Sequence, residues 1–294
     1  MFISDLSVIL SNVKHLFYAD DLKIYYKIKN ATDINFLQNK LNDLFNWCNL
    51  NNLKLNLEKC YVISFSRKKS ILYNNYTIKD VKIERVEKIL DLGILLDHKM
   101  SFEAHYDMIV SRASKTLGFI KRRAKEFQNV WVTKTLYCTY VRSVLEYGCT
   151  IWMPYEDKFI KYIESVQKQF FYLLFDPNDF NNLPSYAHRL RIINLDSLKD
   201  RRDMLSSCFI FDVLKNNIDN ESLSNRIFKN NNRQSNRSNA DTRFLFEPAH
   251  STLYGYNEPI TRGIRLFNKF LNCYEDNSNF TKHTFKNRIK LTFK

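Results

Sequence analysis

The stretch His15–Tyr26, HLFYADDLKIYY, sets the reading of everything around it. His15–Tyr18 and Leu22–Tyr26 are apolar, β-prone runs, and Ala19-Asp20-Asp21 between them reads as the turn of a hairpin. Two carboxylates at the tip of an apolar hairpin can hold divalent cations, because hard Mg²⁺ prefers oxygen and usually takes one or two ligands from protein. In two-metal phosphoryl transfer the ions sit about 4 Å apart, activating the attacking hydroxyl and stabilising the leaving oxygen. Taken by themselves, two aspartates in a turn are also ordinary turn chemistry.

Downstream, Asp33 is expected to cap a helix whose apolar residues Ile34, Leu37, Leu41, Leu44, Phe45 and Cys48 recur at three- and four-residue steps. Leu53, Leu55 and Leu57 alternate with polar residues, Tyr61–Phe65 reads as a strand, and Val86–Leu96 as strand–turn–strand about Asp91-Leu92-Gly93. From Ser101 the period becomes helical. Phe102, Tyr106, Ile109, Ala113, Leu117 and Ile120 share a face behind Ser101 as N-cap. Further helices are predicted over Val130–Glu146, Glu156–Phe175 and Asp196–Lys215, with Pro177 and Pro184 between the last two. Ser222–Arg243 carries almost no apolar residues and reads as a linker or mobile loop. The expected fold is therefore α+β: a mixed region at 1–97, helices at 98–218, a polar linker at 219–243 and a small basic C-terminal region at 244–294.

Composition narrows the function classes. Hydrophobic residues make up 45% of the 294, which supports real cores and excludes wholesale disorder. The longest apolar run, Phe170–Phe175, is far short of a bilayer span of roughly 20 residues, so no membrane is expected. The N-terminus has no basic lead-in, and none of the six cysteines forms a CxxC pair. Free thiols inside the cell are the natural reading, and a zinc site is improbable. The net charge is +14, and residues 221–294 alone carry 13 basic against 6 acidic groups. That balance favours a polyanionic partner, nucleic acid before membrane, with a solvated basic surface as an equal alternative on charge alone. Arg112, Lys115, Lys121, Arg122, Arg123 and Lys125 fall within fourteen residues that contain no acid, spaced so that a phosphate-facing stripe can form on one helix. A solvated helix face is the alternative. Trp131, Tyr137, Tyr140 and Trp152 can stack on bases, although at helical spacing such residues also build cores.

An ordered series of strings gives these features a common source. FYADD at Phe17–Asp21 resembles the catalytic hairpin of reverse transcriptases, specifically those of retrotransposons without long terminal repeats, of the insect jockey-like type. Phe2–Leu6 (FISDL) is similar to the segment leading into that hairpin, Leu53–Cys60 (LKLNLEKC) to the block after it, and Asp91–Ile94 (DLGI) to the primer-grip hairpin. Leu117–Ile120 (LGFI), Val141–Gly148 (VRSVLEYG) and Ile163–Gln167 (IESVQ) resemble the thumb. Tyr186–Leu190 (YAHRL) and Pro259–Arg262 (PITR) resemble the C-terminal region.

The resemblance implies a partial polymerase palm with antiparallel strands and one or two helices, then a helical thumb and a small basic C-terminal region. It implies RNA-directed DNA polymerase chemistry dependent on Mg²⁺. Its partners would be an RNA template, a DNA primer, the RNA–DNA duplex and deoxynucleoside triphosphates, in the nucleus or a cytoplasmic ribonucleoprotein. Asp20 would be a direct metal ligand with Asp21 beside it, and Tyr18 would lie against the primer end. Lys59 would stand near the incoming triphosphate as an acid for the leaving pyrophosphate. Leu92 and Gly93 would hold the primer backbone, and the basic stripe would hold duplex phosphates. The family's other metal-binding aspartate and its nucleotide-pocket block lie upstream of this hairpin. Only nineteen residues precede Asp20 here, with Asp5 the one acid among them. The expectation is therefore the C-terminal part of such an enzyme, with a catalytically inactive nucleic-acid-binding remnant as the alternative.

Overall fold

The hairpin at the centre of the sequence reading is present. In a computed structural model of the chain, β1 (Lys14–Tyr18) pairs antiparallel with β2 (Asp21–Tyr25), with Tyr18 opposite Asp21 and Phe17 opposite Leu22. The structure describes residues 5–68, 72–127, 129–175, 184–232, 245–271 and 281–292. The chain is α+β and divides into two units, residues 1–104 and 105–294. Among the described residues every strand lies in the first unit.

Unit 1 is organised on one long helix, α2 (Ala31–Leu50), which follows the short α1 (Leu6–Ile9) and the hairpin. The helix starts two residues before Asp33, the residue expected to cap it. Asn30 is extended, its side chain accepts from the Asp33 N–H at 3.0 Å, and the Asp33 carboxylate accepts from the Asn30 N–H at 3.2 Å. Asn30 is thus the cap, and Asp33 closes a reciprocal capping box. One face of α2 contributes Leu44, Trp47 and Cys48 to a core with Leu6 and Leu10, against which Leu22 and Ile24 of the hairpin pack. Another carries Ile34, Leu37, Leu41 and Phe45 onto Tyr76, Ile78 and Ile83.

The alternating run at Leu53–Leu57 does not form a strand. Asn56 accepts from the Glu58 N–H and turns the chain into a 3₁₀ turn, Leu57–Lys59, the usual way a short amide side chain competes with extended pairing. β3 is only Tyr61–Val62, and its pairing with β6 (Glu84–Arg85) is parallel, which an all-antiparallel expectation missed. β4 (Thr77–Ile78) with β5 (Val81–Lys82), and β7 (Lys88–Asp91) with β8 (Ile94–Asp97), are antiparallel hairpins. Asp97 then anchors the approach to α3 (Glu103–Phe127). Its carboxylate accepts from the N–H groups of Lys99, Ser101 and Phe102, at 2.8 to 2.9 Å, and from the Ser101 hydroxyl. Burial raises the Asp97 pKa, and those hydrogen bonds outweigh it, holding the carboxyl below its ordinary value.

Unit 2 is helical. On α3, Tyr106, Ile109, Ala113, Leu117 and Ile120 are buried along the predicted face. The predicted helix at 130–146 is present in three pieces: α4 (Val130–Leu136), a π turn (Tyr137–Arg142) and α5 (Ser143–Glu146). After α6 (Cys149–Trp152), α7 (Asp157–Phe171) and α8 (Tyr186–Ile193) comes α9 (Leu198–Leu214). Most of α9 is buried, on every side, so it demands helical neighbours all round. The C-terminal region supplies them. Phe267, Phe270, Phe285 and Ile289 share a core with Met204, Ile210 and Phe211. They come from α12 (Pro259–Leu271) and α13 (Lys282–Thr292), which follow the short α11 (Leu253–Tyr256). Gly263 allows the close approach of α12, since a Cβ there would fall 2.8 Å from Ile210 Cγ1. The segment read as a linker begins with a helix, α10 (Glu221–Asn232), from which Ile227 enters this core and Leu223 packs against it. Residues 233–244 lie outside the described residues.

The buried polar centre of unit 2 is built from the strings that carried the resemblance. Glu164 accepts from the Leu198 and Lys199 N–H groups, at 3.1 and 3.3 Å, and so satisfies the start of α9. Tyr186 donates its hydroxyl to the same carboxylate. Gln167 accepts from Tyr137 at 2.8 Å and donates to the Asp196 carbonyl at 3.0 Å. Tyr137 and Trp152, candidates for base stacking, are instead fully buried; Tyr137 stacks on Phe170 at 4.1 Å. Arg262 donates to the carbonyls of Thr150, Met153 and Asn257. Among the described residues no helix is long and apolar enough to cross a membrane.

Two outcomes follow for stability. Glu164→Ala takes the acceptor from the buried Leu198 N–H and from the half-buried Lys199 N–H and Tyr186 hydroxyl, a loss of roughly 2–4 kcal/mol, and is expected to lower the Tm by roughly 5–10 °C in a thermal melt. His105 is 1% exposed, set edge-on against Trp152, and burial pushes its pKa down to about 4. Its neutral form is favoured in the fold, so its contribution is complete above the unfolded pKa near 6.5 and is lost as pH falls toward 4. Unfolding free energies from urea titrations at pH 7 and pH 4.5 should differ by roughly 2–3 kcal/mol more in the native protein than in His105→Gln.

Candidate functional site

The tip of the β1–β2 hairpin is a two-residue loop, Ala19 and Asp20, with Ala19 at φ 52°. Positive φ at the first loop residue suits the right-handed twist of a tight hairpin, although alanine tolerates it less well than glycine. Pairing Tyr18 with Asp21 puts both on the hairpin face opposite Phe17 and Leu22, which pair on the other. The inner face, with Leu22 and Ile24, packs on the core. The outer face, with Leu16, Tyr18 and Tyr25, stays largely open, and Tyr18 is 60% exposed. Asp20 and Asp21 are also exposed. The turn thus presents two acceptor-only carboxylates beside an aromatic ring on a short, rigid element.

The structure brings a second hairpin to this one. Lys23, on the outer face of β2, forms an ion pair with Asp91 at the end of β7, and both side chains are only about a quarter exposed. Asp91 opens the Leu92-Gly93 turn, where φ is 45° at Leu92 and 83° at Gly93. Both central residues are left-handed, as a two-residue hairpin of the common primed type requires, and glycine takes such a conformation freely. Burial raises the Tyr25 pKa, Lys23 opposes this and Asp91 adds to it, in accord with all three groups meeting at one place. Sequence reasoning missed the Lys23–Asp91 link. No local pattern announces a contact between residues so far apart.

Lys59 is not brought into this cluster. It ends the 3₁₀ turn, with its side chain exposed, and no hydrogen bond or ion pair joins it to Asp20 or Asp21 among the described residues. No group of three histidine, cysteine, aspartate or glutamate side chains able to hold a metal forms among the described residues either.

In unit 2, α3 sorts its basic residues. At 3.6 residues per turn, Arg112, Lys115, Arg122 and Arg123 fall within roughly a third of the circumference, away from the buried face, and all are exposed. Lys121 is exposed on the other flank, and the side chain of Lys125 lies outside the described residues. Phe119, 56% exposed, sits within the four-residue stripe. An aromatic ring interleaved with cations is suited to phosphate and base contact, and Phe119 is a member that charge counting passed over. Of the other aromatics considered, Trp131 and Tyr140 are exposed and Tyr137 and Trp152 are core.

No family model matches the chain, and no solved structure matches it. Over 125 residues it is 30% identical to an uncharacterized protein of Caenorhabditis elegans. The match takes in 41% of this chain and 60% of that protein, so the chain spans about three fifths of the length of this curated relative.

Proposed function

We propose that this chain is the C-terminal part of an RNA-directed DNA polymerase of a retrotransposon without long terminal repeats. Unit 1 would be the end of a palm and α3 with its neighbours a thumb. The observation that carries the reading is the Lys23–Asp91 ion pair, which joins the FYADD hairpin to the Asp91-Leu92-Gly93 turn. Those are the two elements that such an enzyme must hold side by side, one for metal and one for the primer strand. On this reading Tyr18 offers its exposed ring to the primer end, and the Leu92-Gly93 turn lets a sugar–phosphate backbone come close to the protein main chain. Arg112, Lys115, Arg122 and Arg123 hold phosphates of the RNA–DNA duplex, as guanidinium and ammonium groups do on any sequence.

Asp20 and Asp21 fit one hard cation such as Mg²⁺, whose remaining positions water and phosphate oxygens fill. When bound, the ion would supply charge stabilisation at a phosphoryl oxygen. A second ion requires a carboxylate from another strand, and no third ligand joins these two among the described residues. This incomplete donor set favours, as a second reading, a remnant that binds nucleic acid without extending a primer.

The reading is tested first by binding. A labelled RNA–DNA duplex should bind the chain with an affinity that falls steeply with salt. Replacing Arg112, Lys115, Arg122 and Arg123 together by alanine should weaken binding to all sequences alike and flatten the log K against log salt slope by about 3–4 units. An unchanged slope would remove α3 from the interface. The metal is tested by paramagnetic broadening. Mn²⁺ should selectively broaden the amide resonances of Tyr18–Leu22 in an NMR spectrum, and Asp20→Asn should abolish the effect. Uniform or absent broadening would sink the metal assignment.

A further inference from the structure

The α3 stripe is not the one place where cations of unit 2 converge. A cleft of about 470 Å³ opens between α4 with its π turn, the Asn194–Asp196 loop, α9 and α13, and Lys134, Arg142, Arg201 and Lys290 line it from three separate stretches of chain. That volume suits a nucleotide-sized ligand. Four like charges around one cavity repel each other unless anions answer them. The acids at hand are Asp196, in the lining, and Glu146, which takes a two-pronged ion pair from Arg201 and lies 3.9 Å from Arg142. Lys134 donates to the carbonyls of Ile193 and Asn194, at 2.7 and 3.3 Å, interactions that hold it in place without cancelling its charge. Lys290 has no ion-pair partner among the described residues. The cleft therefore keeps an excess of about two positive charges, the complement of a phosphate group.

Two further features give the anion a chemical class. The lining includes Cys138 and Arg142 of the π turn, a local widening of a helix that is common at binding sites. Beside the cleft, the Lys134 ammonium lies 4.9 Å from the centre of the Trp131 ring, and that ring is 71% exposed. A flat aromatic surface next to a cationic cleft matches a base attached to a phosphate.

We infer that this cleft binds a nucleotide, with its phosphate among Arg142, Arg201 and Lys290 and its base on Trp131. The nucleotide would be free or part of a single strand, the chemistry being the same. This inference stands apart from the polymerase reading, since it uses neither unit 1 nor the α3 stripe. Trp131 also supplies the assay, because Trp47 and Trp152 are buried.

Tryptophan emission of the full chain should be quenched saturably by AMP, ATP or a twelve-residue oligoadenylate, and the quench should vanish in Trp131→Phe. Anisotropy of a labelled oligoadenylate should report at least tenfold weaker binding in the double variant Arg142→Gln, Lys290→Glu. Asp196→Asn should tighten binding two- to fivefold, because it removes a negative charge from the lining, an outcome that a damaged fold would not give. The four-alanine variant of α3 should keep the quench within twofold. Comparable affinity for AMP and oligoadenylate would mark a free-nucleotide site, and much tighter oligoadenylate binding a strand site. The proposal fails if no saturable quench occurs, or if Lys290→Glu and Asp196→Asn leave the affinity where it was. Should the quench fail while duplex binding still depends on the α3 stripe, this site falls and the polymerase reading stands.

Discussion

Unit 2 depends on the carboxylate of Glu164. A long helix that is buried on every side has an unavoidable difficulty at its start, where N–H groups have no partner within the helix. In α9 that start lies inside the protein, at Leu198 and Lys199, and Glu164 reaches across from α7 to accept from both. An acceptor is worth most at that place, because the helix dipole favours negative character there and an unanswered N–H in a low dielectric is costly. Everything else follows from fixing α9. Tyr186 and Gln167 complete the acceptor's shell, Tyr137 is tied to Gln167, and α12 and α13 close over the opposite side of the helix on Ile210 and Phe211.

Unit 1 uses a different economy. Among the described residues its strands are short and pair in twos, without a large sheet to hold them. Their order comes from α2, which presents one apolar face to the FYADD hairpin and another to the segment around Tyr76 and Ile83. A helix between two small cores can position a hairpin tip while leaving that tip in solvent. The Lys23–Asp91 pair adds the lateral constraint that a two-stranded ribbon lacks.

How much of this was legible depended on the range of the signal. The FYADD hairpin, the turn at Leu92-Gly93 and the buried face of α3 rest on neighbours within a few residues, and the sequence pattern located all three. The fate of Leu53–Leu57 was not legible, since alternation describes a strand and a half-buried coil equally well, and Asn56 tipped the balance. Nor was the helix at 221–232, where Ile227 and Leu223 carry the burial in a mostly polar run. The largest gap concerns residues whose partners lie far along the chain. Glu164 and Gln167 looked like members of a motif and proved to be a helix cap and its support. Tyr137 and Trp152 had the spacing for either of two roles, and burial assigned them to the core. Charge counting found the α3 stripe because it is local. It passed over the cleft of Lys134, Arg142, Arg201 and Lys290, whose members meet only after folding.

The inward-directed hydrogen bonds of Glu164, Gln167 and Arg262 have a consequence for descent. These side chains spend their hydrogen bonds on the protein itself, so the pressure on them is the pressure to fold. On the polymerase reading, a lineage that lost Asp20 and Asp21 would lose the proposed cation and keep a stable unit 2, and one that lost Glu164 would have difficulty keeping either. The strings Ile163–Gln167 and Pro259–Arg262 are therefore expected to outlast the hairpin carboxylates in any descendant that still folds. Likeness in this half of the molecule records shared architecture, and on the polymerase reading it is the turn of Ala19, Asp20 and Asp21 that would carry the record of activity.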